Sequence, residues 1–371
     1  MVVMSIVRVY YYDDMARTGI ANLPLHTGKA PRWLFEKMVE LSEQIIHLIC
    51  LDLGKDEFLN KISDPFWFQA FGCVLGFDWH SSGLTTTVCG AVKVSLDRIG
   101  DEIGLFMAGG KGKTAIKTPQ EIEKIAQKHS INANFLKYTS RIVAKIDNAA
   151  LQDGYQLYHH TIIFTDKNNW CVIQQGLNEK NSMARRYHWL KDTTKSFTKE
   201  PHKAICSQRR EKLILNLVAK ESLKAQSNFI DFLNSPISSI EKELDKIETL
   251  NLPKRHYITL SDLNIKRLKK NILEISDKKP SNFEQLLNIN GTGSKTLRAL
   301  SLISEIVYSD KPSFKDPARY SFAHGGKDGH PYPVDLETYT ESIETLKEIV
   351  NKAKIGYYDK AKALKRLSKL I

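Results

Sequence analysis

The sequence lacks features that mark several whole classes of protein. Its five cysteines are widely scattered and include no Cys-x-x-Cys pair, so we expect neither a zinc site nor an iron–sulfur cluster. No segment reaches the roughly 18 uninterrupted apolar residues of a membrane span. The first fourteen residues lack the basic region and the long apolar region of a signal peptide. These absences favour a cytoplasmic protein with reduced cysteines and no membrane partner.

A nucleotide-binding loop is lacking as well. Residues 109–114 read Gly-Gly-Lys-Gly-Lys-Thr, but the spacing of their glycines and lysines differs from that of a Walker A loop. We therefore expect no nucleotide cofactor. Lys111 and Lys113 in this basic turn are instead candidates for contact with nucleic acid.

What the sequence does contain is an excess of positive charge. Lys and Arg number 54 against 42 Asp and Glu, which gives a formal net charge of +12 over 371 residues. Such a balance favours polyanionic partners, because binding them releases condensed counterions. The 42% of hydrophobic residues is ample for a packed core, and the length points to two or three domains. The composition is compatible with a homo-oligomer.

The distribution of helix and strand patterns predicts an α+β protein. Residues 1–14 read as an extension or an edge strand. Residues 15–200 read as a mixed α/β domain with a β-sheet that would carry any catalysis. After residue 200, long patterns of Leu, Ile, Lys and Glu with almost no strand signal predict an all-helical domain over residues 201–371.

Within the first domain, the elements differ in their signals. Helical spacing of apolar residues predicts a helix that follows Pro31 and ends at Gly54, with a second helix over residues 55–62. Residues 66–96 are dense in aromatic, β-branched and glycine residues, and we interpret them as a buried sheet region. The best β-hairpin joins residues 155–164 to residues 170–175.

Residues 283–308 match the pattern of a helix-hairpin-helix, a motif that binds nucleic-acid backbone. Two glycines between two well-patterned helices leave no Cβ in the way of a phosphate that approaches the amides of the second helix. A lysine adds positive charge there, and hydroxyl groups add hydrogen-bond donors. The predicted backbone contacts are Gly291, Gly293, Ser294, Lys295 and Thr296. Such motifs bind DNA with little base specificity, and some bind RNA. A simple turn between two helices is the alternative.

The same segment also resembles the hairpin of base-excision DNA glycosylases. In the bifunctional members of that family, a lysine at the position of Lys295 forms a Schiff base with the sugar. The resemblance implies a downstream aspartate in a Val-Asp-Thr-His-like context, and only Asp310 and Asp316 are available, neither in that setting. A glycosylase or abasic-site lyase is therefore a rival hypothesis.

Two polar clusters in the first domain are candidates for catalysis. Asp78 and His80 share a short loop between apolar segments. Residues 145–160 hold a second cluster, whose candidates are Asp147, Asp153, His159 and His160. Metal-dependent nucleases hold Mg²⁺ or Mn²⁺ with carboxylates, so Asp78, Asp147 and Asp153 are the predicted metal ligands and the histidines the predicted proton shuttles. A turn aspartate with a buried histidine explains the first cluster equally well, and a satisfied structural network explains the second.

Arg185 and Arg186 precede Tyr187, His188 and Trp189. This mixture of cations and aromatic rings is typical of surfaces that attract phosphates and stack on bases. The two arginines are therefore predicted to bind nucleic acid.

Over most of its length the chain is similar to a prokaryotic family, common in archaea, that is known as domain of unknown function 763. The resemblance rests on five strings of sequence, at residues 17–26, 63–69, 76–87, 147–156 and 320–328. It implies a basic prokaryotic protein that joins a distinctive N-terminal domain to a helix-hairpin-helix. The family name does not identify a reaction.

These features lead to three hypotheses. The first is a metal-dependent DNA nuclease of DNA repair or processing, in which the C-terminal motif holds the substrate. The second is a noncatalytic protein that binds DNA structure. The third is the glycosylase or lyase that uses Lys295.

Overall fold

A computed structural model describes residues 30–77, 82–207, 210–248, 265–318 and 336–367. The extension predicted over residues 1–14 lies outside the described residues, as do the candidate catalytic residues Asp78 and His80.

Four helices form the first part of the described chain. They are α1 (Arg32–Asp52), α2 (Lys55–Ser63), α3 (Pro65–Leu75) and α4 (Gly83–Ile103). The predictions of α1 and α2 are confirmed. The prediction of a buried sheet over residues 66–96 is wrong, because both α3 and the Thr-rich segment of α4 are helical.

Local capping and burial explain why the aromatic segment is a helix. Asp64 accepts hydrogen bonds at 2.9 Å from the amides of Phe66 and Trp67, and Pro65 occupies the first helical position. Every residue of α3 is buried, so the helix has no polar face to reveal its period. In α4 the β-branched residues carry only a small helix penalty, which burial of one face overcomes.

A five-stranded antiparallel sheet forms the centre of the fold. Its strands are β1 (Leu105–Lys111), β3 (Gln156–Thr165), β4 (Trp170–Asn178), β5 (Met183–Leu190) and β6 (Ala204–Cys206), in the order β1-β3-β4-β5-β6. A separate pair joins β2 (Leu151–Gln152) to β7 (Leu215–Asn216). The predicted β-hairpin is confirmed as β3 and β4. Residues 109–111, predicted as part of a basic turn, belong to β1.

Helices cover both faces of this sheet. Between β1 and β2 lie α5 (Lys113–Ile116), α6 (Thr118–Ala126), α7 (Ala133–Lys145) and a π-helix (Ile146–Ala150). After β7 come α8 (Leu223–Leu233), α9 (Ile237–Glu248), α10 (Ile265–Ser276), α11 (Phe283–Asn288), α12 (Ser294–Val307), α13 (Leu336–Lys352) and α14 (Tyr357–Leu367). One apolar core joins α1–α4, α13 and α14 to one face, and the other core joins α6–α12 to the opposite face.

Two short strands correct the prediction of an all-helical second half. The strands β6 and β7 both follow residue 200, and β6 completes the central sheet beside β5. Strands of three and two residues are too short to show an alternating pattern in the sequence. None of the described helices is long and apolar enough to cross a bilayer.

Candidate nucleic-acid interface

The turn between α11 and α12 is built on two glycines with different roles. Gly291 has a φ of 90°, which favours glycine, whereas Gly293 is extended with a φ of −105° and caps α12. A Cβ at Gly293 would meet no atom within 4 Å, so the approach to this amide is open. Ser294 and Lys295, at the start of α12, are exposed.

Thr296 was predicted to contact phosphate, but in the structure its side chain contacts the turn itself. Its side chain is buried, and its hydroxyl donates a 2.8 Å hydrogen bond to the carbonyl of Gly291. The hydroxyl therefore holds the turn in shape, because a single donated proton cannot also serve a phosphate.

A cleft of about 520 Å³ opens beside this turn, and we call it the turn cleft. Its lining residues are Lys145, Arg267, Leu268, Asn271, Gly291, Thr292, Gly293, Ser294, Lys295 and Thr296. Three of them are cations, and none of these described lining residues carries a carboxylate. Burial lowers the pKa of Lys145 below its ordinary value. The N-terminal end of α12 adds the positive end of a helix dipole.

Thr292 supplies a polar group that the described protein leaves unused. Its side chain is fully buried in the wall of the turn cleft. The hydroxyl has no hydrogen-bond partner among the described residues. A buried hydroxyl without a partner costs free energy, so this group favours a ligand that can bond to it.

A second cleft of about 780 Å³ adjoins the first, and we call it the side cleft. It is lined by Asn148, residues 151–156, residues 177–180, Glu211, Leu213, Ser294 and Arg298. Ser294 lines both clefts. Gln152 fixes α12 against the sheet domain here, because it donates to the carbonyl of Ser294 at 2.8 Å and accepts from Arg298 Nε at 2.9 Å.

The predicted metal ligand Asp147 lies in the π-helix and is fully buried. One carboxylate oxygen accepts hydrogen bonds from Gln174 and Trp189, and the other is bonded to His202. Three protein partners therefore occupy this carboxylate. The sequence did not reveal His202 and Trp189 as partners of Asp147, because they lie 55 and 42 positions away, without a local motif.

Asp153, another predicted ligand, belongs to a different buried network. It accepts hydrogen bonds from Arg185 at 2.9 Å and from the Tyr187 hydroxyl at 2.7 Å. Arg185 also binds both carboxylate oxygens of Asp316, at 3.1 and 2.7 Å. Burial acts to lower the pKa of Arg185, but the two carboxylates together raise it above its ordinary value.

Arg185 and Arg186 are not available to nucleic acid in this structure, so that prediction is wrong. Both side chains are 0% exposed. The guanidinium of Arg186 bonds to Gln69, Thr85 and His188 on the other face of the sheet. The arginines lie inside because β5 is covered by helices on both faces, which no local pattern indicated.

The two adjacent histidines point to opposite faces, as expected of neighbours in a strand. His160 is bonded to Ser140 and Gln174, each at 2.7 Å. Both ring nitrogens of His159 are buried and have no partner among the described residues. Burial lowers the pKa of His159 to about 3, aided by the charges of His160 and Lys111. Both rings are almost fully buried.

The structure does not join the two described candidate metal ligands, Asp147 and Asp153, in one group. Among the described residues, no three His, Cys, Asp or Glu side chains form a group that could hold a metal ion. Asp147 and Asp153 are each bound by separate protein donors. Carboxylate oxygens that already accept hydrogen bonds from the protein do not fit Mg²⁺ or Mn²⁺, which need several free oxygen ligands.

Lys111 and Lys113 are exposed at the end of β1. Lys111 Nζ lies 5.8 Å from the centre of the Tyr158 ring. Neither lysine belongs to the lining of the turn cleft. They remain a separate predicted contact.

Comparison with known proteins identifies a family. Residues 19–334 match the family model described as "Protein of unknown function (DUF763)", so the chain belongs to that family. No curated protein and no solved structure matches the chain.

Proposed function

We propose that this protein binds DNA by its phosphate backbone in the turn cleft. The proposal is argued from the chain's own residues, because the DUF763 family is not assigned a reaction. One observation carries the proposal. The turn cleft places Lys145, Arg267 and Lys295 around an open helix N-terminus, with no carboxylate in the described lining.

The geometry at Gly293 supports a phosphate there. The absence of a Cβ leaves the amides at the start of α12 open to an oxygen atom of the backbone. The buried hydroxyl of Thr292 can donate to the same group. These are backbone and point-charge contacts, so they bind DNA with little base specificity.

Phosphodiester hydrolysis with Mg²⁺ or Mn²⁺, in DNA repair or processing, stays a prediction. The described carboxylates Asp147 and Asp153 are held by Gln174 and Arg185, which favours a structural role for both. A noncatalytic DNA-binding protein is therefore the better-supported of the two functions.

The lyase hypothesis has less support from the structure. Lys295 lies in the first turn of α12, whereas Asp310 follows the other end of that helix, about 20 Å away at 1.5 Å per residue. Asp316 is engaged by Arg185. Neither aspartate offered by the sequence is placed to assist Lys295, so we interpret this lysine as a contact for phosphate.

The test is fluorescence anisotropy with a labelled duplex of arbitrary sequence. The variant combines Lys145→Ala, Arg267→Ala and Lys295→Ala. A matched control combines Lys37→Ala, Lys315→Ala and Lys352→Ala, three exposed lysines outside the turn cleft. We expect the cleft variant to lose about tenfold or more in affinity and the control to lose much less. Equal affinity of the cleft variant and the wild type would refute the proposal.

The same samples test the two catalytic hypotheses. Cleavage that needs Mg²⁺ or Mn²⁺, stops with EDTA and disappears in Asp147→Ala, with Asp147→Asn as a control for folding, would support the nuclease. Borohydride trapping on abasic DNA that disappears in Lys295→Ala would support the lyase. DNA that is bound and never cut is the result we expect.

A further inference from the structure

The side cleft has the size and position of a second subsite. Its volume of about 780 Å³ lies in the range of pockets that hold small organic ligands. It meets the turn cleft at Ser294, which lines both. The two clefts are also close along the chain, because Lys145 lines the turn cleft and Asn148, three residues later, lines the side cleft. A ligand held at the turn would therefore extend into the side cleft.

The π-helix explains why the two clefts are adjacent. It continues α7 after Lys145 and runs from Ile146 to Ala150. Its wider turn buries Asp147 towards the sheet and leaves Asn148 exposed in the side cleft. Single π-turns inside longer helices are frequent at functional sites, because they displace one residue from the regular helical face.

The chemistry of the two clefts differs. The turn cleft has three cations and no carboxylate in its described lining, whereas the lining of the side cleft balances its two cations, Lys180 and Arg298, with three carboxylates, those of Asp153, Glu179 and Glu211. Carboxylates repel a second phosphate. Asn148, Gln156 and Asn178 add amide groups that both donate and accept.

Amides and carboxylates are the groups that read the edges of nucleobases. An amide can form two hydrogen bonds with a base, and a carboxylate accepts from an exocyclic amino group. The side cleft is therefore suited to a base, just as the turn cleft is suited to the phosphate beside it. A base within a duplex is stacked and paired, so it cannot enter such a cleft without leaving the helix.

We propose that the side cleft receives an unpaired nucleobase of the DNA whose phosphate is held in the turn cleft. The preferred ligand is then a duplex with an unpaired nucleotide or a single-stranded end. This inference rests on the proposed function, because it needs a phosphate at the α11–α12 turn.

The test compares two duplexes that differ by one unpaired 2-aminopurine, with affinity and probe fluorescence as readouts. The side-cleft variant combines Asn148→Ala and Glu179→Ala, both exposed positions. Its matched control combines Asn351→Ala and Glu348→Ala, which remove the same groups from the exposed face of α13.

We expect the wild type and the control to bind the bulged duplex at least about fivefold more tightly than the paired duplex. The side-cleft variant should lose this preference and keep its affinity for the paired duplex. Equal binding of both duplexes by the wild type overturns the inference and leaves backbone binding intact. A preference that persists in the side-cleft variant also overturns it. Failure to bind either duplex overturns the proposed function itself.

Discussion

The strand β5 and the α11–α12 turn both carry basic residues that the sequence marks for nucleic acid, yet the fold treats them in opposite ways. In β5, Arg185 and Arg186 lie inside the protein and donate hydrogen bonds to protein acceptors. At the turn, Lys295 is exposed beside a cleft with no carboxylate in its described lining. A basic motif can therefore meet nucleic acid only where the fold leaves its side chains exposed.

The largest effect that we expect from a substitution in either segment is a loss of stability when Arg185 is replaced. Arg185→Leu leaves Asp153 and Asp316 buried without their cation. Removal of one partner from a buried ion pair costs about 3–5 kcal/mol of unfolding free energy. Urea unfolding followed by circular dichroism measures the loss. Arg141→Leu, at an exposed position of α7, is the matched control and should change little. A stable Arg185→Leu protein that loses only DNA affinity would contradict the buried assignment.

The next effect comes from the buried histidines and appears as a pH dependence. Burial lowers the pKa of His159 from 6.5 to about 3, and it also lowers the pKa values of His160 and His188. Between pH 6.5 and 3 the unfolded chain binds a proton at His159 that the folded chain does not. The neutral buried ring therefore makes its full contribution to the free energy of unfolding above pH 6.5. This contribution is lost as the pH falls, at up to about 1.4 kcal/mol per pH unit for each such histidine.

Urea midpoints measured at pH 7.5 and pH 5 test this sign. His159→Leu removes one titrating ring, so its loss of stability on acidification should be smaller than that of the wild type by about 2 kcal/mol. The surface variant His47→Leu serves as the control and should follow the wild type. The same acid dependence in His159→Leu and the wild type would show that His159 is not buried in its neutral form.

Substitution of the two glycines of the turn should have the smallest effect on stability. It should also separate the glycine that shapes the turn from the glycine that leaves room for a phosphate. Gly291→Ala forces an alanine to a φ of 90° and should cost about 1 kcal/mol. Gly293→Ala is at an extended φ in open space and should cost about 0.5 kcal/mol. DNA affinity should fall more for Gly293→Ala, because its Cβ would occupy the approach of the phosphate. Equal affinities of Gly293→Ala and the wild type would place the phosphate elsewhere.

Local signals in the sequence were sufficient for much of the fold. Helical spacing and a terminal glycine located α1, a β-hairpin pattern located β3 and β4, and a glycine-containing turn located α11 and α12. The segment of α3 and α4 was misread, because a helix buried on all sides and rich in aromatic residues resembles a buried strand.

The sites depended on contacts that no local pattern contains. The partner of Arg185 at Asp316 lies 131 positions away, and that of Asp147 at His202 lies 55 positions away. The turn itself could be predicted from Gly291 to Lys295. Its cleft could not, because Lys145 and Arg267 reach it only through the packing of α7 and α10.

The most direct test of DNA binding in the turn cleft is the salt dependence of duplex affinity. Each lysine or arginine that neutralises a phosphate contributes about −0.9 to the slope of log K against log salt concentration. If Lys145, Arg267 and Lys295 all contact phosphates, their triple alanine variant should have a slope shallower than that of the wild type by about 2 to 3. The same slope in both proteins would contradict binding at the turn.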